Sequence, residues 1–104
     1  MKANKYRTHM CSELTETDSG KLVRVSGFVE NIRDHGGVLF LDLRDSSGVL
    51  QVVSNDDSIF EGITRESSIT IEGTIRKRDE DDYNEKISTG TIELLVDKLE
   101  VLNK

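Results

Sequence analysis

Val38-Leu39-Phe40-Leu41-Asp42-Leu43-Arg44, the turn Asp45-Ser46-Ser47-Gly48, and Val49-Leu50-Gln51-Val52-Val53 read as the two arms of a β-hairpin. Leu39, Leu41 and Leu43 alternate with Val38, Phe40, Asp42 and Arg44, and Leu50 and Val52 alternate with Val49, Gln51 and Val53. A period of two is the strand period, and the smooth aliphatic row belongs inside. The same rhythm extends in both directions. Upstream, Val23, Val25, Gly27 and Val29 alternate with Arg24, Ser26, Phe28 and Glu30, and Gly27 marks a bulge or sharp bend. Asp34-His35-Gly36-Gly37 is a turn signal between this strand and the hairpin. Downstream, Ile59, Phe60 and Ile63 follow Asp56, Asp57 and Ser58 at helical spacing, which predicts one short helix within 56–66. Ile69, Ile71, Gly73 and Ile75 restore the strand period, a polar loop covers 79–90, and Ile92, Leu94 and Val96 form a last inward row. A short helix around Ser12 to Thr17 is expected to cap one end.

Three strands, a helix and two strands is the element order of the OB-fold, a five-stranded Greek-key barrel. The expected class is therefore all-β with one or two short helices. Closing the sheet removes its exposed edges. An open α+β sheet is the alternative arrangement of the same elements.

At 104 residues the chain has the length of one domain, 1–104, with a short helical extension over about 1–20. It can bury roughly 65% of its unfolded surface in one modest core. No apolar run is long enough for a membrane helix, and the opening Met1-Lys2-Ala3-Asn4-Lys5 leads into no apolar stretch, so no secretory leader is read. The lone Cys11 fits a reducing, cytoplasmic setting, and Cys11 with His9 and His35 does not make a zinc set. Twenty acids against fourteen bases give a net charge of −6. Such a chain is not expected to grip polyanions indiscriminately, because phosphate neutralisation supplies most non-specific affinity. The positive charge is local: Lys2, Lys5 and Arg7 near the start, and Arg76-Lys77-Arg78 immediately before Asp79-Glu80-Asp81-Asp82.

The outward rows carry the candidate chemistry. Phe40 falls in one, where an aromatic ring can stack an unpaired base; cover by the N-terminal segment is the alternative. Gln51 on the neighbouring strand offers amide donors and an acceptor. Arg33 beside the turn can hold a base edge or phosphate in a fork, or pair with Asp34 or Asp42. Arg76 and Arg78 point from strand four toward the long loop, to meet phosphates or to neutralise the acids there. Glu93 on strand five can accept hydrogen bonds from base amino and imino groups. There is no Walker-type glycine loop, no dinucleotide fingerprint and no recognisable catalytic set.

Tyr6-Arg7-Thr8-His9-Met10-Cys11-Ser12-Glu13-Leu14, the stretch Arg33-Asp34-His35-Gly36-Gly37 through Leu50-Gln51-Val52-Val53, Gly73-Thr74-Ile75-Arg76-Lys77-Arg78 and Thr89-Gly90-Thr91-Ile92-Glu93-Leu94 resemble the N-terminal part of bacterial-type aspartyl-tRNA synthetases. The resemblance covers nearly the whole chain in one register. It implies an OB-fold anticodon-binding domain of a class II ligase, reading a G-U-C anticodon. Phe40 would stack on the central uridine, Gln51 and Arg33 would hydrogen-bond it or its neighbour, and Glu93, with Arg78 nearby, would help recognise the outer bases. ATP and magnesium would serve a catalytic domain, with no cofactor expected in this one, and that catalytic domain would be a partner alongside tRNA. The pattern departs at Asn31-Ile32-Arg33, where the family usually has three arginines, and at Phe28, where it often has tryptophan. Two alternatives stand beside this reading. One is a free-standing protein-interaction or regulatory module that has lost tRNA binding. The other is the equivalent module of asparaginyl- or lysyl-tRNA synthetases, which share the fold and a central uridine.

Overall fold

In the computed structural model, which describes residues 7–103, five strands form a closed barrel. They are β1 (Leu22–His35), β2 (Val38–Asp45), β3 (Gly48–Ser54), β4 (Ser68–Lys77) and β5 (Ile92–Asn103). Around the barrel the order is β1-β2-β3-β5-β4, with β4 closing on β1. All neighbours are antiparallel except β3 and β5, which run parallel through Val52 opposite Leu94 and Val53 opposite Leu95. Lys2, Lys5, Tyr6 and the first part of the expected extension lie outside the described residues, as does Lys104.

Local chemistry sets the two hairpins. Gly36 and Gly37 adopt φ of 63° and 88°. Two successive positive φ values make the tight turn that matches strand twist, and only glycine takes them freely. The Asp34 carboxylate accepts from the Gly37 N–H at 3.1 Å. At the β2–β3 turn, Asp45 Oδ1 accepts from the N–H groups of Ser47 and Gly48, and Oδ2 accepts from the Cys11 N–H at 2.7 Å, tying the N-terminal segment to the barrel.

The inward rows expected from the period-two pattern form the core. Val23, Val25, Val29, Leu41, Leu43, Leu50, Val52, Ile69, Ile71, Ile75, Ile92 and Leu94 are all buried. Cys11, Leu14, Phe60 and Ile63 join the same cluster from the segments outside the strands. Gly27 lies where β1 changes partners from β4 to β2; a methyl group there would collide with the Arg44 carbonyl. The bulge itself falls at Glu30, where the β1–β2 register shifts between Val29 and Asn31.

The helices are shorter than expected. The segment 56–66 forms only a 3₁₀ turn, Asp57–Phe60, with the Asp56 side chain accepting from the Ser58 N–H at 3.0 Å. Gly62 and Glu66 then take positive φ, 78° and 70°, which breaks any helical path. Three apolar side chains in eleven residues do not offset the cost of helix nucleation. Likewise the expected helix near Ser12–Thr17 is two 3₁₀ turns, Cys11–Glu13 and Glu16–Asp18, separated by extended Leu14 and Thr15. Among the described residues no helix is long and apolar enough to cross a membrane.

Candidate nucleic-acid interface

Three adjacent strands place Arg33, Phe40 and Gln51 on one outer face. Phe40 on β2 lies between Arg33 on β1 and Val53 on β3, and one rung along the sheet Asp42 lies opposite Gln51. The bulge at Glu30 brings Arg33 onto this face: one extra residue exchanges inward and outward positions, so Ile32 packs against the core and Arg33 points out.

Phe40 is half-buried, not swallowed by the core, and the ring of His35 from the turn meets it edge-on, with centroids 5.6 Å apart at 69°. The N-terminal segment instead packs against β2 and β3 through Cys11–Glu13 and against β4 through Glu16–Asp18. Phe40 borders two recesses, of about 400 Å³ and about 170 Å³. Val38, Val53, Asn55, Arg76 and Glu93 border the first, Arg33, His35 and Gln51 border the second, and Asp82 of the long loop borders both.

Polar groups on this face form one chain of contacts. Arg33 forks onto Asp42 at 2.6 and 3.2 Å and reaches Gln51 Oε1 with Nη2 at 3.3 Å. Hydrogen bonding to Asp42 raises the Arg33 pKa above its ordinary value, against a smaller opposing effect of burial. Gln51 Nε2 donates to Glu93 Oε1 at 2.8 Å, and Arg76 Nε donates to Glu93 Oε2 at 2.7 Å. Gln51 and Glu93 are each only 8% exposed, enclosed by these partners on the outer side of the barrel. Arg33 therefore has the Asp42 ion pair that was one of its two expected roles, and Arg76 neutralises Glu93, not the loop acids.

Arg78 departs from expectation. It stands one residue past the end of β4 and is 6% exposed, not a solvent-facing strand residue. Its Nε donates to the Ile92 carbonyl at 2.8 Å and its Nη1 to the Asp82 carbonyl at 3.1 Å. Burial lowers its pKa, opposed by the nearby carboxylates of Glu93 and Asp42. Arg78 thus fastens the 79–90 loop to β5 beside the recess. Sequence reasoning cast Asp42 only as a possible ion-pair partner of Arg33 and gave His35 and Asp82 no place at the site. Asp42 sits in the same outward row as Phe40, which is a readable signal, whereas His35 and Asp82 reach the face through turns. Among the described residues no group of three His, Cys, Asp or Glu side chains is placed to hold a metal ion.

An open barrel face with an aromatic ring beside hydrogen-bonding groups suits unpaired bases, whose flat faces stack and whose edges carry donors and acceptors. Residues 23–102 match the tRNA anticodon family model described as an OB-fold nucleic acid binding domain. The chain is 46% identical over 104 residues to an aspartate–tRNA(Asp/Asn) ligase of Rhizobium leguminosarum bv. trifolii, covering 96% of this chain and 17% of that protein. It is 48% identical over 101 residues to the ligase of the same name from Thermotoga maritima, covering 93% of this chain and again 17% of the relative. The chain therefore spans well under a fifth of the length of these curated relatives. Among solved structures, an asparaginyl-tRNA synthetase from Pyrococcus horikoshii superposes with a TM-score of 0.74 at 30% identity, over 91% of this chain and 23% of that one. An OBody, AM2EP06, bound to hen egg-white lysozyme shares the fold with a TM-score of 0.81 at 22% identity, over 98% of both chains. With most of its length matched by one family model, the chain belongs to the OB-fold nucleic acid binding domains of the tRNA anticodon family.

Proposed function

We propose that this chain is the anticodon-reading module of an aspartate–tRNA ligase, binding single-stranded anticodon bases of the G-U-C type without itself carrying out catalysis. The observation that carries the reading is the placement of Phe40 on an open outer face with Arg33, Gln51, Glu93 and Arg76 joined beside it. Similarity over nearly the whole chain to aspartate–tRNA(Asp/Asn) ligases supports the choice of RNA. In this reading the central uridine stacks on Phe40, the amide of Gln51 and the guanidinium of Arg33 meet its edge, and Arg76 lies where a neighbouring phosphate can approach. Arg78 serves the site by fixing the loop that walls it. The module works in the cytoplasm. It needs no cofactor; ATP and magnesium belong to the ligase reaction of a catalytic domain.

Titration of the chain with a G-U-C anticodon stem-loop, and with the same loop carrying C-U-C or G-A-C, tests the proposal. Preference for G-U-C is expected, and equal affinity for all three refutes base reading. The acidic residues bordering the recess and the net charge of −6 favour, as a second reading, a protein-interaction module that has lost RNA binding. Weak association indifferent to both sequence and salt would support that alternative, because contact with phosphate makes affinity salt-dependent.

A further inference from the structure

The amide of Gln51 is held between a cation and a carboxylate. Its Oε1 accepts from Arg33 Nη2 at 3.3 Å, and its Nε2 donates to Glu93 Oε1 at 2.8 Å. Each holder is itself anchored, Arg33 by the Asp42 fork and Glu93 by Arg76 on its second oxygen. Turning the amide over would set Oε1 against the carboxylate and Nε2 against the guanidinium, acceptor facing acceptor and donor facing donor. The amide therefore has one orientation. An amide owns two N–H donors and two oxygen lone pairs. One of each is engaged, so one donor on the Glu93 side and one acceptor on the Arg33 side remain for a ligand.

Uridine and cytidine offer the same two adjacent edge positions with their roles exchanged. Uridine has a donor at N3 and an acceptor at O4; cytidine has an acceptor at N3 and a donor amino group at C4. Once stacking on Phe40 fixes the plane of the base, an amide that points only one way pairs with one of the two and opposes the other. We propose that Glu93 is a positioning residue that sets the direction of the Gln51 amide and so selects uridine over cytidine at the stacked position. One of its oxygens accepts from Gln51, the other is held by Arg76, and the side chain is nearly enclosed, as this role requires. The inference rests on the anticodon-reading proposal above.

The test compares the wild-type chain with Glu93→Gln, an isosteric change that lets position 93 present either a donor or an acceptor to Gln51. Affinities are measured for stem-loops carrying G-U-C, G-C-C and A-U-C. Wild type is expected to favour G-U-C over G-C-C by about 5- to 150-fold, the range of one well-made two-bond base contact. In Glu93→Gln only the contact from Arg33 Nη2 at 3.3 Å still opposes turning the amide, so that ratio should fall severalfold, while the preference between G-U-C and A-U-C is retained. An unchanged uridine–cytidine ratio in the variant, or loss of the outer-base preference in its place, overturns the inference and leaves anticodon reading standing. Absence of any wild-type preference for G-U-C over G-C-C removes both. Side-chain amide NMR of the wild-type chain decides independently of the variant's folding. A Gln51 NH2 pair with one proton shifted well downfield by the carboxylate supports the inference, and a pair at the shifts of a free, averaged amide overturns it.

Discussion

Phe40 and Leu41 are consecutive in β2 and face opposite sides of the sheet, so truncating each to alanine separates reading from folding. Leu41 has 0% exposure and packs in the barrel core. Its removal should cost about 2–5 kcal/mol of stability, the range for a buried leucine that leaves a cavity. Phe40 is half-buried outside that core, and its ring contact is the edge-on packing with His35. An aromatic pair of this kind contributes about 0.5–1.5 kcal/mol beyond area burial. Phe40→Ala should therefore lower the urea midpoint by less than Leu41→Ala does. In binding the order reverses: loss of one base–aromatic stack costs about 1–3 kcal/mol, a drop of about 5- to 150-fold in affinity for the G-U-C stem-loop. Leu41→Ala, measured where it is still folded, should bind nearly as wild type does. Urea unfolding followed by circular dichroism gives the stabilities, and fluorescence anisotropy with labelled stem-loop gives the affinities. Wild-type affinity in Phe40→Ala would refute stacking. A larger stability loss in Phe40→Ala than in Leu41→Ala would refute the assignment of faces.

Arg78→Met keeps the bulk but leaves the Ile92 and Asp82 carbonyls without their donors. Amide hydrogen exchange should quicken through the 79–90 loop, with a stability loss of about 1–3 kcal/mol, the cost of leaving buried polar groups unpaired. Gly73→Ala would drive a methyl group into the Leu95 carbonyl and the Leu94 side chain; a loss of about 1–3 kcal/mol is expected in urea unfolding, as for other overpacked sites. Burial, and secondarily the Asp45 charge, push the Cys11 thiol well above its ordinary pKa. Native protein should therefore resist thiol reagents at neutral pH. Above the unfolded thiol pKa, about 8.5, the unfolded chain ionises while the folded one does not, so stability should fall as pH rises, and Cys11→Ala should remove that component. The Asp18 carboxyl is held below its ordinary pKa by the Thr15 N–H and then by Lys21. Its contribution is present above the unfolded value of about 3.9 and is lost as pH falls through the lower folded value; Asp18→Asn should flatten this part of the acid unfolding curve.

The barrel and half of its reading face were legible because β2 and β3 keep an unbroken period of two. Phe40 and Gln51 could be assigned to the outer side by counting from Leu41 and Leu50. Arg33 could not be assigned that way. Counting by twos from Val23, Val25 and Val29 places it in the inward row, and only the bulge at Glu30 reverses the phase. A bulge is a property of how two strands pair, and a single strand's pattern does not contain it. The same holds at the far end of β5, where the register shift opposite Glu72/Gly73 lets Leu99 and Val101 reach the core after Val96. Arg78 was misjudged for a different reason: β4 ends at Lys77, so strand alternation no longer governs the next residue, and the carbonyls that capture it come from Ile92 and the loop. The short helix was misjudged because a pattern of three apolar residues records a preference but not whether packing offsets nucleation.

The pairing of charges on the barrel reconciles a net charge of −6 with the proposed reading of RNA. Arg33 holds Asp42, Arg76 holds Glu93, Arg44 holds Glu30 and Arg24 holds Glu72. Each guanidinium charge is already offset by a carboxylate, so the field seen by an arbitrary polyanion is weak. Partly exposed ion pairs of this kind are worth only about 0–1 kcal/mol each. A ligand that already gains a stack on Phe40 and a base-edge contact at Gln51 can therefore open one of them at small cost. Non-cognate RNA, lacking those contacts, has nothing to offset that cost. Under the proposed reading, specificity then rests on the base contacts, with the arginines adding to binding only after those are made. The consequence is measurable. For the G-U-C stem-loop the plot of log K against log salt should have a slope of only about −0.7 to −1.4, corresponding to one or two phosphate contacts on a single strand. Asp42→Asn, which frees Arg33, should raise affinity for all stem-loops while narrowing the gap between cognate and non-cognate. A steep slope in the wild-type chain, or a variant that gains nothing for non-cognate loops, would show that the paired arginines do not restrain binding.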